Sequence, residues 1–309
     1  MLLAIDIGNT QTCLGVFRRD LTAFPQDLRR PRPPRPAAPC QMASESRPDD
    51  SLTPAPQDSR PQATWTWRVS TRAQATTDEL STLLAGLLAA RALAPADVGA
   101  VCLGSVVPEL TRAWTGVCAN LALPVPLLPA DIAPRDLGLT PDQAAQVGAD
   151  RLANALAARA RYGAPAVVVD FGTATNFDVI DASGHFIGGP ISAGLELSAA
   201  ALYARAARLT SVELGAPARI IAQTTEDALR AGLVVGEAAK VDGLLQRIAG
   251  ELGGSAPAAL AAGTLPVIAT GGLAELVAPY SRAITACDAT LTLDGLFLMA
   301  CSALQGDQA

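Results

Sequence analysis

The sequence predicts an α/β protein made of two related halves, and three observations predict it. The run "LLAIDIGNTQTCLGVF", residues 2–17, is an apolar strand, a small polar knot and a second apolar strand. The run "APAVVVDFGTATNFDVID", residues 164–181, repeats that device about half a molecule later. Stretches of helical apolar spacing separate and follow the two copies. Strands alternating with helices, in two copies, imply a duplicated α/β architecture, with residues 1–143 as one half and 144–309 as the other.

Taken in order, the opening hairpin is followed by a segment that cannot form a core. Ten prolines fall between Pro25 and Pro61, interleaved with Arg, Ser and Asp. So little apolar surface cannot offset ordering entropy, and about 21–63 is predicted to be a disordered insertion in a hairpin. "TWTWRVST" resumes as a strand. "TTDELSTLLAGLLAARAL" opens with a capping box, Thr76 with Glu79, and spaces Leu80, Leu83, Leu84, Leu87 and Leu88 on one helical face. "GAVCLGSVVPEL" is a buried strand ending at Pro108, residues 111–121 are helical, and "PVPLLP" is a short strand. "AAQVGADRLANALAARARYG" is one alanine-rich helix with Gly148-Ala149-Asp150-Arg151 near its start. After the second hairpin come helices at about 194–209 and 225–252. A last strand, "LPVIATGG", then leads to a helix and to a C-terminal helix from about Leu293.

Composition removes several function classes. The net charge is −6 with no basic stripe, which disfavours nucleic acid and anionic membrane as partners. No apolar run reaches the roughly 18 residues of a membrane span, and no secretory signal opens the chain. The cysteines are scattered without a Cys-x-x-Cys, as expected of reduced thiols in the cytoplasm. His185 is the single histidine and sits in a turn, "DASGHFIGG". A histidine triad elsewhere or a multi-histidine metal site is thereby excluded, so acid–base chemistry must rest on carboxylates.

The polar knots point to phosphate. A phosphate chain needs close backbone approach, which glycine permits, and donors fixed at a turn. Gly8, Asn9, Thr10 and Thr12 supply these in the first copy; Gly172, Thr173 and Thr175 do so in the second. Asp6, at a strand end, suits hydrated magnesium, which binds through few carboxylates plus phosphate oxygens. One such turn is ordinary turn chemistry. Two copies after buried strands predict a nucleotide cleft between the halves, and Gly271-Gly272 would let an adenine lie against bare backbone.

The order of these devices resembles the actin, sugar kinase and heat-shock ATPase superfamily, with its duplicated ribonuclease-H-like halves. In their order "IDIGNTQT", "SVVP", "GADR", "DFGTAT", "GGPISAGL", "TTEDAL..G" and "ATGGLAEL" resemble type III pantothenate kinases over nearly the whole chain except about 21–63. That resemblance implies transfer of the γ-phosphate of ATP to pantothenate at the opening of coenzyme A synthesis, with magnesium and with potassium or ammonium. It also implies a cytoplasmic homodimer with the pantothenate site near the dimer interface. By the same resemblance, Asp6, Ile7, Gly8, Asn9, Thr10, Gln11, Thr12 and Cys13 form the ATP segment, and Thr173 joins them. Asp170 ligates the monovalent cation, while Asp6 faces magnesium through water. Gly148, Ala149, Asp150 and Arg151 bind pantothenate, with Asp150 as the base and Arg151 suited to the carboxylate through its fork. Thr225 touches pantothenate bound to the neighbouring subunit, and Gly271 and Gly272 flank the adenosine.

Two departures stand out. A tyrosine often found seven residues before the first glycine of "GADR" is replaced by Pro141, and the proline-rich insertion is unusual. Two other readings stay open: a catalytically silent regulatory or accessory protein on the same fold, and a kinase for another small hydroxy acid or sugar. Retention of Asp6, Asp150 and Asp170 favours the live kinase.

Overall fold

The computed structural model describes residues 1–18, 62–132, 137–206 and 209–306, so the insertion lies, but for its last residues, outside the described residues. The first half begins with β1 (Leu2–Ile7), β2 (Gln11–Phe17) and β3 (Trp65–Ser70). Next come α1 (Thr77–Ala89), β4 (Ala100–Ser105) and α2 (Pro108–Asn120). The Thr76–Glu79 capping box is present and Leu80, Leu84 and Leu88 are buried, as the periodicity predicts. β1, β2 and β3 form an antiparallel meander, and β4 returns parallel to β1, giving the order β3-β2-β1-β4.

The connection to the second half holds α3 (Pro129–Ile132), α4 (Pro141–Gln146) and α5 (Ala149–Tyr162). Then come β5 (Ala166–Phe171), β6 (Ala174–Ile180), β7 (Phe186–Gly188) and β8 (Ile191–Ala193). They are followed by α6 (Leu195–Arg205), α7 (Thr225–Arg230), α8 (Gly236–Leu252) and α9 (Ala256–Ala261). The chain closes with β9 (Val267–Thr270), α10 (Ala274–Val277), β10 (Ala286–Cys287) and α11 (Leu291–Gly306). The second sheet runs β10-β9-β5-β6-β7, with β8 also on β6. Again a hairpin-linked meander is followed by strands parallel to its first member. Leu127, in a parallel bridge to Cys102, occupies the place in the first sheet that β10 fills in the second. The duplicated ribonuclease-H-like arrangement is thus visible in strand order.

Four expectations change in detail. "PVPLLP" contributes only the Leu127 bridge, because its prolines lack the N–H a strand needs. The alanine-rich helix is broken: α4 ends, Val147 turns extended (φ −97, ψ 135), and α5 starts anew after Gly148. The helix expected to reach 209 stops at Arg205, and the 225–252 helix passes through a π-helical turn, Ala231–Val235. β10 was not foreseen, since two residues carry no periodicity.

α5 and α11 lie between the two sheets. One buried cluster joins Leu2, Ala4 and Cys102 of the first sheet to Val168, Ile180 and Ile268 of the second through α5 and α11. Phe17 stacks on Phe297 of α11 with ring centroids 4.5 Å apart, a contact worth about 0.5–1.5 kcal/mol beyond its area. The helices approach so closely that a Cβ on Gly295 would run into the backbone of Ala153.

Candidate active site

A cleft of about 390 Å³ opens where the two hairpin turns face each other. Both turns are closed by their own backbone: Gly8 N–H donates to Gln11 O at 3.0 Å, and Gly172 N–H to Ala174 O at 3.0 Å. The hydroxyls of Thr10 and Thr173 meet at 2.9 Å, so the two copies of the polar knot touch across the cleft. Gly271, at φ +91, lets the chain turn past Asp170 and Phe171, and any side chain there would strike both.

Of the first segment, Asp6, Gly8, Asn9, Thr10, Gln11 and Cys13 line the cleft. Ile7 is buried in the opposite core layer, and Thr12 turns away to share a 2.8 Å hydroxyl contact with Thr71. Strand alternation explains both. Thr173, Asp170, Gly271, Gly272, Gly148, Asp150 and Arg151 also line it. Ala149 packs instead near Gly104, its Cβ 3.4 Å from where a Cβ on that glycine would stand. Thr225, exposed at the first position of α7, does not line the cleft. Pro141 is the first residue of α4, in a capping box of Thr140 with Gln143.

The site is acidic at its base, with Asp6, Asp150 and Asp170 partly buried. Burial raises Asp6 well above the ordinary 3.8, and the charges of Asp150 and Asp170 add to the rise. Burial, then Asp150, pushes Asp170 up to about 6, against a hydrogen bond from Asn154. Burial also raises Asp150, opposed by the Arg151 N–H, which donates to its Oδ1 at 2.8 Å. Gly148 has a local duty: the Asp150 carboxylate folds back over it, leaving no room for a Cβ.

Sequence reasoning missed what supports these acids. Asn154 Nδ2 donates to Asp170 Oδ2 at 3.2 Å and to Asp178 Oδ2 at 3.3 Å, while Thr292 of α11 donates to Asn154 Oδ1 at 2.8 Å. Arg151 is largely committed within the fold. Its Nε donates to Asp178 Oδ1 at 2.6 Å, and its Nη2 to the carbonyls of Phe177 and Gly189 at 2.7 and 3.1 Å. The fork expected of Arg151 is therefore largely taken up by Asp178 and two backbone carbonyls. "DRLAN" carries a signal in hindsight, since Arg151 and Asn154 lie three apart on one face of α5. Arg68 and Glu196 also line the cleft unforeseen.

The acids fit a hydrated cation. Among the described residues no group of three His, Cys, Asp or Glu could itself enclose a metal. Asp150 and Asp170 nevertheless raise the proton affinity of Asp6, and Asp150 that of Asp170, a charge excess that favours a hard cation held partly by water and phosphate.

A family model described as type III pantothenate kinase matches residues 57–247. A type III pantothenate kinase of Acidobacterium capsulatum is 44% identical over 234 residues, covering 76% of this chain and 83% of that one. One from Roseiflexus castenholzii is 42% identical over 300 residues, covering 97% and 98%. Among solved structures, a protein described as a Baf family transcriptional activator from Campylobacter jejuni is 16% identical with a TM-score of 0.52, covering 99% of this chain and all of that one. That last likeness speaks to fold alone. With paired polar turns on duplicated sheets, an acid-lined cleft between them and relatives alike along almost their whole length, the chain belongs to the type III pantothenate kinase family.

Proposed function

We infer that this chain transfers the γ-phosphate of ATP to the terminal hydroxyl of pantothenate, giving 4'-phosphopantothenate and ADP. The observation that carries the reading is the pairing of Thr10 with Thr173 over a cleft that also holds Asp150, in a chain of this family. The phosphate chain lies between the two turns, met by Asn9, Thr10 and Thr173. Pantothenate lies along Gly148–Arg151. As the hydroxyl oxygen bonds to the γ-phosphorus, the bond to the β–γ bridging oxygen breaks and ADP leaves. Asp150 takes the hydroxyl proton. Its raised pKa makes it a stronger proton acceptor than a surface carboxylate. Asp6 would hold magnesium through water, and Asp170 a potassium or ammonium ion; these supply charge neutralisation at the phosphates.

The chain acts as a homodimer in this reading. Ile187, Ile191, Leu197 and Leu202, on β7, β8 and α6, are 56%, 62%, 51% and 37% exposed, an apolar surface that a second copy would cover. Thr225 then serves the neighbour's site, in keeping with its place outside the cleft. A cytoplasmic setting agrees with the free thiols of Cys13, Cys102, Cys118, Cys287 and Cys301. Among the described residues no helix is long and apolar enough to cross a membrane.

A coupled ADP-release assay with pantothenate beside a panel of sugars and hydroxy acids tests the substrate, and light scattering tests the dimer. Pantothenate-dependent ADP release with a phosphorylated product of the right mass is expected. Preference for another acceptor would overturn the substrate, and Pro141 in place of the family tyrosine makes that panel necessary.

A further inference from the structure

We propose that Arg68 is a phosphate clamp of the nucleotide site, gripping ATP and ADP on the side of the cleft formed by Gln11 and Gly272. The proposal rests on the reading that this cleft holds ATP. It starts from strand register. Gly104, Asp6, Cys13 and Arg68 are direct partners across β4, β1, β2 and β3. Directly opposed residues project to the same face of a sheet. Arg68 therefore rises on the face that carries Asp6, next to Cys13, whose thiol its charge holds down against the rise that burial causes. Its Nη1 comes within 3.8 Å of where a Cβ on Gly272 would stand, and Gln11 Oε1 within 3.7 Å of the same point.

Charge gives the second argument. The cleft lining includes Asp6, Asp150, Asp170 and Glu196 but only two arginines. Arg151 is taken up by Asp178 and two carbonyls. Arg68 is the remaining cation, and among the described residues no carboxylate pairs with it. Such a cleft repels a polyanionic nucleotide unless a cation meets it. A guanidinium offers two parallel N–H donors to phosphate oxygens. The plain alternative is that Arg68 is a solvated residue on an exposed strand, which predicts no effect on nucleotide binding.

The test uses the full chain with magnesium and compares the parent, Arg68→Gln and Arg68→Lys. Binding of ADP and of adenosine is measured by calorimetry, beside steady-state kinetics. For Arg68→Gln, ADP affinity should fall about tenfold or more, as expected on losing charge-assisted bonds to an anion, with adenosine binding unchanged. The KM for ATP should rise while that for pantothenate holds, and Arg68→Lys should recover part of the loss. A merely structural role would weaken ADP and adenosine alike or lower the melting temperature. That outcome, or ADP binding by Arg68→Gln within twofold of the parent, overturns the clamp. A parent that ignores pantothenate while Arg68→Gln still loses ADP selectively would overturn the substrate and uphold the clamp. A parent that binds no ADP overturns both.

Discussion

At Asp150, two roles compete and differ in magnitude. An acid in the first turn of a helix is worth about 0.3–1 kcal/mol against the helix dipole. A general base is typically worth about 10²–10⁴ in rate. Asp150→Asn should therefore keep the fold and ADP binding while turnover falls at least about a hundredfold. Turnover within a few-fold of the parent would move the base elsewhere. Asp170 allows a different measurement. Its carboxyl is buried with a pKa of about 6 against an ordinary 3.8, so the folded chain binds this proton more tightly than the unfolded one. Stability from this group thus declines as pH rises from about 4 to about 6 and levels off above, a change of about 3 kcal/mol without bound cation. Asp170→Asn should flatten that slope in denaturant titrations and raise stability at pH 8. It should also blunt any activation by potassium over sodium. A parent equally active in both salts would remove the monovalent-cation role.

At the scale of the element, α5 shows what the sequence made legible and what it hid. Its alanine-rich composition and its acid near the start could be read directly, because they are local. The break at Val147–Gly148 was hidden because the alanine-rich composition runs through it, although Gly148 ends as the N-cap of α5. Arg151 reads as a surface residue or a substrate fork. Only tertiary pairing shows that Asp178, more than 20 positions away, has claimed it. Asn154 was likewise invisible as a support, since its three partners come from β5, β6 and α11. The two hairpin knots were legible for the opposite reason: each is complete within a few residues. Asn154→Ala should expose how much that hidden support matters. Removing the amide from Asp170 and Thr292, and one of the two side-chain donors from Asp178, should cost about 1–3 kcal/mol of stability. Thermal melts check this, and an unchanged midpoint would show that water replaces the amide.

Across the whole molecule, the long segment between β2 and β3 leaves and returns at one point. Thr64 N–H donates to Val16 O at 2.7 Å, directly beyond the Val16–Trp65 pair. A hairpin whose ends already meet needs little from its connection, and loop length itself costs little. Replacing about residues 23–61 with a Gly-Asn turn should leave dimerisation and kinase activity intact. Insoluble or inactive protein would show that the segment closes the site.

The tight crossing of α11 over α5 has a mechanical consequence. Where Gly295 meets the backbone of Ala153 the helices sit backbone to backbone, so a closure of the cleft would turn the two sheets about that point. In such a closure the crossing would be a fulcrum and the two polar turns the far ends of its levers. A small rotation there would become a larger change in the gap that Thr10 and Thr173 span. Gly295→Ala would wedge the fulcrum, with an overpacking cost of about 1–3 kcal/mol. It should shift kcat and KM together, as hinge substitutions do, though Gly295 does not line the cleft.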